Sequence, residues 1–178
     1  MLPKTKEGSE IKTGSSFFIH IQHKLKNWHL MTQDCISEIQ LKYKPNPISE
    51  QISGSRDIYK FLLDHVYNED TVGYKESFKV LLLNNSHKII GYSTIAEGGL
   101  TATVVDIRVL LQTALVTNST AIICTHNHPN GRKVPSLQDD TLTRKIQEAC
   151  KVLDIQFLDH IIVTPEDGYY SYCDEGKL

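Results

Sequence analysis

The sequence contains no Cys-x-x-Cys pair. Its four cysteines, Cys35, Cys124, Cys150 and Cys173, are scattered along 178 residues, which argues against a thiolate zinc knuckle and against a disulfide framework. No apolar stretch approaches the roughly 20 residues that a membrane-spanning helix needs. The short apolar run at 17–21 is interrupted by His20 and followed by no small-residue cleavage pattern, so no secretory leader is expected. Charge of one sign is also scarce: 19 Lys and Arg against 21 Asp and Glu leave a formal charge of −2. A phosphate-binding surface would need a basic excess or stripe, and its lack counts against nucleic acid as the main partner. These absences lead to an expectation of a cytoplasmic domain in a reducing compartment, with no membrane association.

What is present suits one folded core. Hydrophobic residues make up 40% and charged residues 22%, the balance of an ordinary globular domain. Residues 1–34 show little periodicity and are expected to form an appendage, disordered or helical only in part. His20, His23 and His29 fall in it and are read as incidental. Residues 35–178 are expected to form a single domain. The alternation at 36–43 predicts a half-buried strand, ended by Lys44-Pro-Asn-Pro. Ser55 is read as the N-cap of a helix reaching about 67, with Ile58, Leu62, Leu63 and Val66 on its apolar face. Segments 78–83 and 87–95 read as a hairpin, 105–116 as a helix and 121–124 as a short buried strand. A helix over 137–153, capped by Ser136, and strands at 157–163 and 169–172 complete the chain. Strands alternating with helices, together with the hairpin, predict an α/β domain whose mixed sheet is flanked by helices.

The chemistry concentrates between Thr125 and Asp139. His126 and His128 stand at i and i+2 where a strand ends, so their side chains leave on one face and can converge on one ion. Pro129, Gly131 and Pro135 turn the chain back, and Ser136 opens a helix with Asp139 in its first turn. Two imidazoles and one carboxylate make three protein ligands, the number typical of catalytic zinc, whose fourth position stays open; a structural site is normally closed by four. Zinc, one ion per chain, is therefore the expected metal, although the same donor set also suits iron or manganese. A carboxylate must accept a proton from the activated water, and the spacing leaves Glu69, Glu76 and Glu97 equally eligible. Ser136 is a candidate donor to the oxyanion of a tetrahedral intermediate.

His126-Asn-His128, seven residues from Pro129 to Pro135, and Ser136-Leu-Gln-Asp139 resemble the signature of the JAMM/MPN+ metalloproteases. More closely, the chain resembles the RadC family of JAB-domain proteins. The resemblance rests on His126-Asn-His-Pro-Asn-Gly131, on Glu76-Ser-Phe78 before a strand, and on Leu158-Asp-His-Ile-Ile162, and it spans roughly residues 37–172. It implies a cytidine-deaminase-like α/β fold (a JAB/MPN domain), Glu76 as the general base, and hydrolysis of a peptide or isopeptide bond in a peptide or protein substrate. It also carries a second expectation, a DNA-repair-associated binding module that keeps its metal for structure, which the near-neutral charge disfavours. A zinc nucleoside deaminase is set aside because its His-x-Glu and Pro-Cys-x-x-Cys signature is absent.

Each of these residues also has a plainer reading. Ser136-x-x-Asp139 alone would be a capping box worth about 1 kcal/mol of helix stability; its distance from His-x-His is what raises it to a metal motif. Glu97 reads as a turn residue and Cys124 as core. His160 reads as a packed histidine or one that supports a ligand carboxylate. Arg132 and Lys133 read as solvated loop charges beside the site.

Overall fold

Residues 52–98, 104–166 and 168–178 are the part of the chain that this computed structural model describes. The elements run α1 (Ser55–His65), α2 (Glu69–Val72), β1 (Ser77–Leu83), β2 (Ile89–Glu97), α3 (Ile107–Val116), β3 (Ala121–Asn127), α4 (Leu137–Val152), β4 (Gln156–Val163) and β5 (Tyr169–Ser171). The strands form one sheet in the order β2-β1-β3-β4-β5. Among the described strands only the β3–β4 pair is parallel, with α4 as its crossover; the others are antiparallel. The mixed sheet expected from the hairpin is present. Among the described residues, no helix is long and apolar enough to cross a membrane.

Alternation sends successive side chains of each strand to opposite faces. Leu81 and Leu83 of β1, Ile123 of β3 and Ile161 and Val163 of β4 pack with Ile58, Phe61 and Leu62 of α1. Val80 and Leu82, Ile122 and Cys124 pack on the other face with Leu110 of α3 and Ile146 and Cys150 of α4. With helices on both faces, β3 is buried along its whole length.

Several boundaries differ from the sequence reading. Gly54, not Ser55, holds the N-cap position of α1 and makes no side-chain cap. Ser55 is the first helical residue; its hydroxyl donates to Asp174 at 2.5 Å and bonds Tyr169. The helix stops at His65, and Asn68 then caps the separate turn α2 by accepting the Asp70 N–H. Leu63 is exposed, and Phe61 takes its place on the buried face. Helix α3 begins two residues later than read because Asp106 caps it, accepting the Arg108 N–H at 2.9 Å. Strand β3 runs on to Asn127 because β1 and β4 both pair with it as far as His126. The strand expected at 36–43 and the appendage at 1–34 lie outside the described residues.

A buried carboxylate secures the C-terminal end of this domain. Asp159 Oδ1 accepts the N–H groups of His160 (2.7 Å) and Cys173 (3.0 Å), and Oδ2 accepts the Ser171 hydroxyl (2.6 Å). Burial raises its carboxyl above the usual range, partly offset by these three neutral donors. Asp159→Ala would leave three donors unpaired, two of them on buried residues, and is expected to cost about 1–3 kcal/mol. The loss would be read as a lower urea midpoint, and an unchanged midpoint would show that the C-terminal turn holds without this carboxylate.

Candidate metal centre

The site grows from the end of β3. His126 projects to the same face as Ile122 and Cys124, under α4, and is 1% exposed. His128 lies one residue beyond the strand, yet its N–H still donates to the Val163 carbonyl at 2.8 Å, which keeps its side chain in step with His126. The chain then reverses: the Gly131 N–H donates to the His128 carbonyl, and Gly131 has φ 75°, the left-handed region that favours glycine. The reversal places the Arg132 carbonyl 2.6 Å from His128 Nδ1. A carbonyl can only accept, so Nδ1 carries the proton and His128 Nε2 keeps its lone pair.

Asp139 enters from the first turn of α4 through a complete capping box. Ser136 Oγ accepts the Asp139 N–H at 3.1 Å, while the Ser136 N–H and hydroxyl both donate to Asp139 Oδ2 at 2.6 Å. The cap thus orients the carboxylate as well as starting the helix. His126 Nε2 lies 2.9 Å from His128 Nε2, 3.3 Å separates it from Asp139 Oδ1, and His128 Nε2 is 3.4 Å from Oδ2. A tetrahedron with zinc bonds of about 2.0–2.1 Å has edges of roughly 3.3 Å. The two N···O separations match that edge and the N···N separation is slightly shorter. The three side chains fit one small cation, with all ligand atoms within 4.8 Å of one another.

The electrostatics agree with this geometry. Burial pulls the His128 value down, but the Asp139 carboxylate, the Arg132 carbonyl and the nearby Glu76 charge outweigh it and leave it raised. Burial pushes Asp139 up, but the two imidazoles beside it and the Ser136 hydroxyl hold its carboxyl far below the ordinary range. The site favours positive charge at the point where its donors converge.

A cleft of about 690 Å³ opens beside these groups and is lined by Glu76, His128, Ser136 and Asp139, among others. Of the three carboxylates that spacing left open, Glu76 lines this cleft. Glu69 borders a different pocket near Tyr59 and Leu63. Glu97 ends β2 as a strand residue, not in a turn, and is ion-paired with Lys75. Cys124 lies in the core, where burial pushes its thiol well up, and it is not part of the ligand group. Arg132 lines the cleft.

The family described as RadC-like JAB domain matches residues 52–177. The chain belongs to that family. It is 45% identical over 101 residues to a UPF0758 protein of Flavobacterium johnsoniae, covering 57% of this chain and 44% of that protein. UPF0758 proteins of Porphyromonas gingivalis and Thermotoga maritima are 36% and 32% identical over 132 and 131 residues; each match covers 74% of this chain and 56% of the relative. The chain spans about half the length of the curated relatives it matches.

Two residues of this RadC-like domain escaped the sequence reading. Asn127, between the two histidines, points to the opposite face. Its Oδ1 accepts the Ser77 N–H (2.8 Å) and hydroxyl (3.0 Å), and its Nδ2 donates to the carbonyls of Val72 (2.6 Å) and Lys75 (2.9 Å). It ties the segment that carries Glu76 to the strand that carries the histidines. Thr143 lies one turn beyond Asp139 on α4 and bonds His160 at 2.6 Å. His160 bonds an imidazole of the candidate ligand group, His126 at 2.8 Å, and not the carboxylate expected of it. Neither role has a local signal, because both partners are distant in sequence.

A metal held here would take His128 at the nitrogen whose protonation this site favours, so metal and proton would compete. Zinc affinity is expected to be flat above the raised His128 value. Below it, in a window that starts above 6.5, affinity should fall about tenfold per pH unit. Chelator competition between pH 5 and pH 8 checks this; an affinity independent of pH would exclude His128 as a ligand.

Proposed function

We propose that this RadC-like JAB domain is a zinc-dependent hydrolase of peptide or isopeptide bonds. The observation that carries the reading is the convergence of His126, His128 and Asp139 beside a cleft that His128 and Asp139 line together with Glu76 and Ser136. Three protein ligands leave one position of a tetrahedral zinc for water or substrate. When bound, zinc supplies Lewis acidity that brings a water's pKa towards about 7 and polarises an amide carbonyl.

The rest of the chemistry falls to side chains. Glu76 is half-buried, and its charge already contributes to the raised His128 value. In the proposed role its carboxylate takes the proton of the attacking water and passes it to the leaving amine. Ser136 holds Asp139 through its hydroxyl, and in the proposed role that hydroxyl turns towards the developing oxyanion. Tyr74, Val104, Val134 and Leu142 give the cleft apolar walls, which suit the side chains flanking an amide bond. The volume lies within the roughly 300–1,000 Å³ of ordinary ligand sites.

The test joins metal content to turnover. Protein purified without a histidine tag is expected to hold about one zinc per chain, lost in His126→Ala and in Asp139→Ala. Glu76→Gln should keep the zinc and lower hydrolysis of fluorogenic peptide and isopeptide substrates by about 10²-fold or more. An unchanged rate would remove Glu76 from its role. Stoichiometric zinc with no hydrolysis of any amide substrate would favour a metal kept for structure.

A further inference from the structure

We propose that Thr143 and His160 are a positioning pair that fixes His126 in the tautomer whose Nε2 lone pair faces the metal position. The proposal rests on the zinc reading above and adds residues outside the ligand group. A chain of hydrogen bonds carries it. Thr143 Oγ1 lies 2.6 Å from the Asp139 carbonyl and 2.6 Å from His160 Nδ1, and His160 Nε2 lies 2.8 Å from His126 Nδ1.

The proton positions follow from what each atom can do. The Asp139 carbonyl only accepts, so the single hydroxyl proton of Thr143 points to it. Thr143 Oγ1 must then accept from His160, which puts the His160 proton on Nδ1. The ring nitrogens of His160 face a hydroxyl and another imidazole, and no carboxylate lies at hydrogen-bond distance from either to hold an imidazolium there. A neutral His160 with its proton on Nδ1 offers a lone pair at Nε2, and His126 must donate to it from its own Nδ1. His126 Nε2 is left bare, facing His128 Nε2 and Asp139 Oδ1.

The chain closes a loop. It starts at the main chain of one ligand, Asp139, and ends at the ring of another, His126, so each restrains the other. A register shift in the β3–β4 pairing sets His160 beside Cys124, under α4. The ring is clamped there, stacked on Tyr172 at 5.1 Å and met edge-on by Phe78 at 5.4 Å. His160 and Thr143 are both buried, so solvent does not compete for these bonds. Outer partners of this kind orient a metal-binding imidazole and settle its tautomer.

Neutral imidazole in water prefers its proton on Nε2, so the predicted His160 tautomer is an unusual one and can be observed. Long-range ¹H–¹⁵N correlation of the full chain, metal-free and zinc-loaded, is expected to show His160 neutral and protonated on Nδ1, its signals assigned with His160→Gln. Thr143→Val should weaken zinc binding by about ten- to a hundredfold in chelator competition, and Thr143→Ser should restore it. A His160 protonated on Nε2 would overturn the proposal. So would a folded Thr143→Val chain that binds zinc as tightly as the wild type. If Thr143→Val does not fold, the tautomer in the unaltered chain decides. Because that tautomer is read without metal, a chain that takes up no zinc would fail the hydrolase reading in a separate, recognisable way.

Discussion

The period-two alternation at the end of β3 is the constraint on which the site depends. His126 turns towards α4, where Asp139, Thr143 and His160 stand, while Asn127 turns to the other face and grips the segment that leads into β1. Because β3 is paired on both sides and covered on both faces, its side chains have no freedom to exchange roles. A slip of one residue would bury Asn127 among the metal ligands and send His126 to the α1 side. One strand end thus positions both the candidate metal group and the segment that carries Glu76.

Two shielded carboxylates show how the same fold sets opposite charge preferences. Asp159 is surrounded by neutral donors, and burial dominates, raising its carboxyl. Asp139 is also largely shielded, but two imidazoles and a hydroxyl converge on it and its carboxyl is held far down. The difference lies in the partners and not in the depth. The first carboxylate organises the C-terminal turn; the second remains an anion and can serve as a ligand. The cap of α4 matters for the same reason: Ser136 begins the helix and aims Asp139 with one set of bonds.

Element types were legible from periodicity, and their ends were less so. The helix over 137–153 was read almost to its observed limits because its cap is local: Ser136 and Asp139 bond each other across one turn. Ser55 looked equally suited to capping, yet its hydroxyl is spent on Asp174 and Tyr169, more than a hundred residues away in sequence. The end of β3 was read short because Thr125, His126 and Asn127 are polar, and no polarity pattern reveals that β1 and β4 continue beside them.

Sequence alone was enough to bring together the candidate metal group of this RadC-like domain. His126, His128 and Asp139 lie within one strand end, one loop and one helical turn, so backbone geometry brings them together with little help from elsewhere. It also determined the cap that aims Asp139. Tertiary structure decided what surrounds them. It placed Glu76 on the cleft while Glu69 and Glu97 went elsewhere, and turned Asn127 onto the segment before β1. It also set His160 against His126, 34 residues away. The physical reason is range: the ligands meet through local backbone geometry, whereas their supports meet only after the strands have paired and α4 has packed across the sheet.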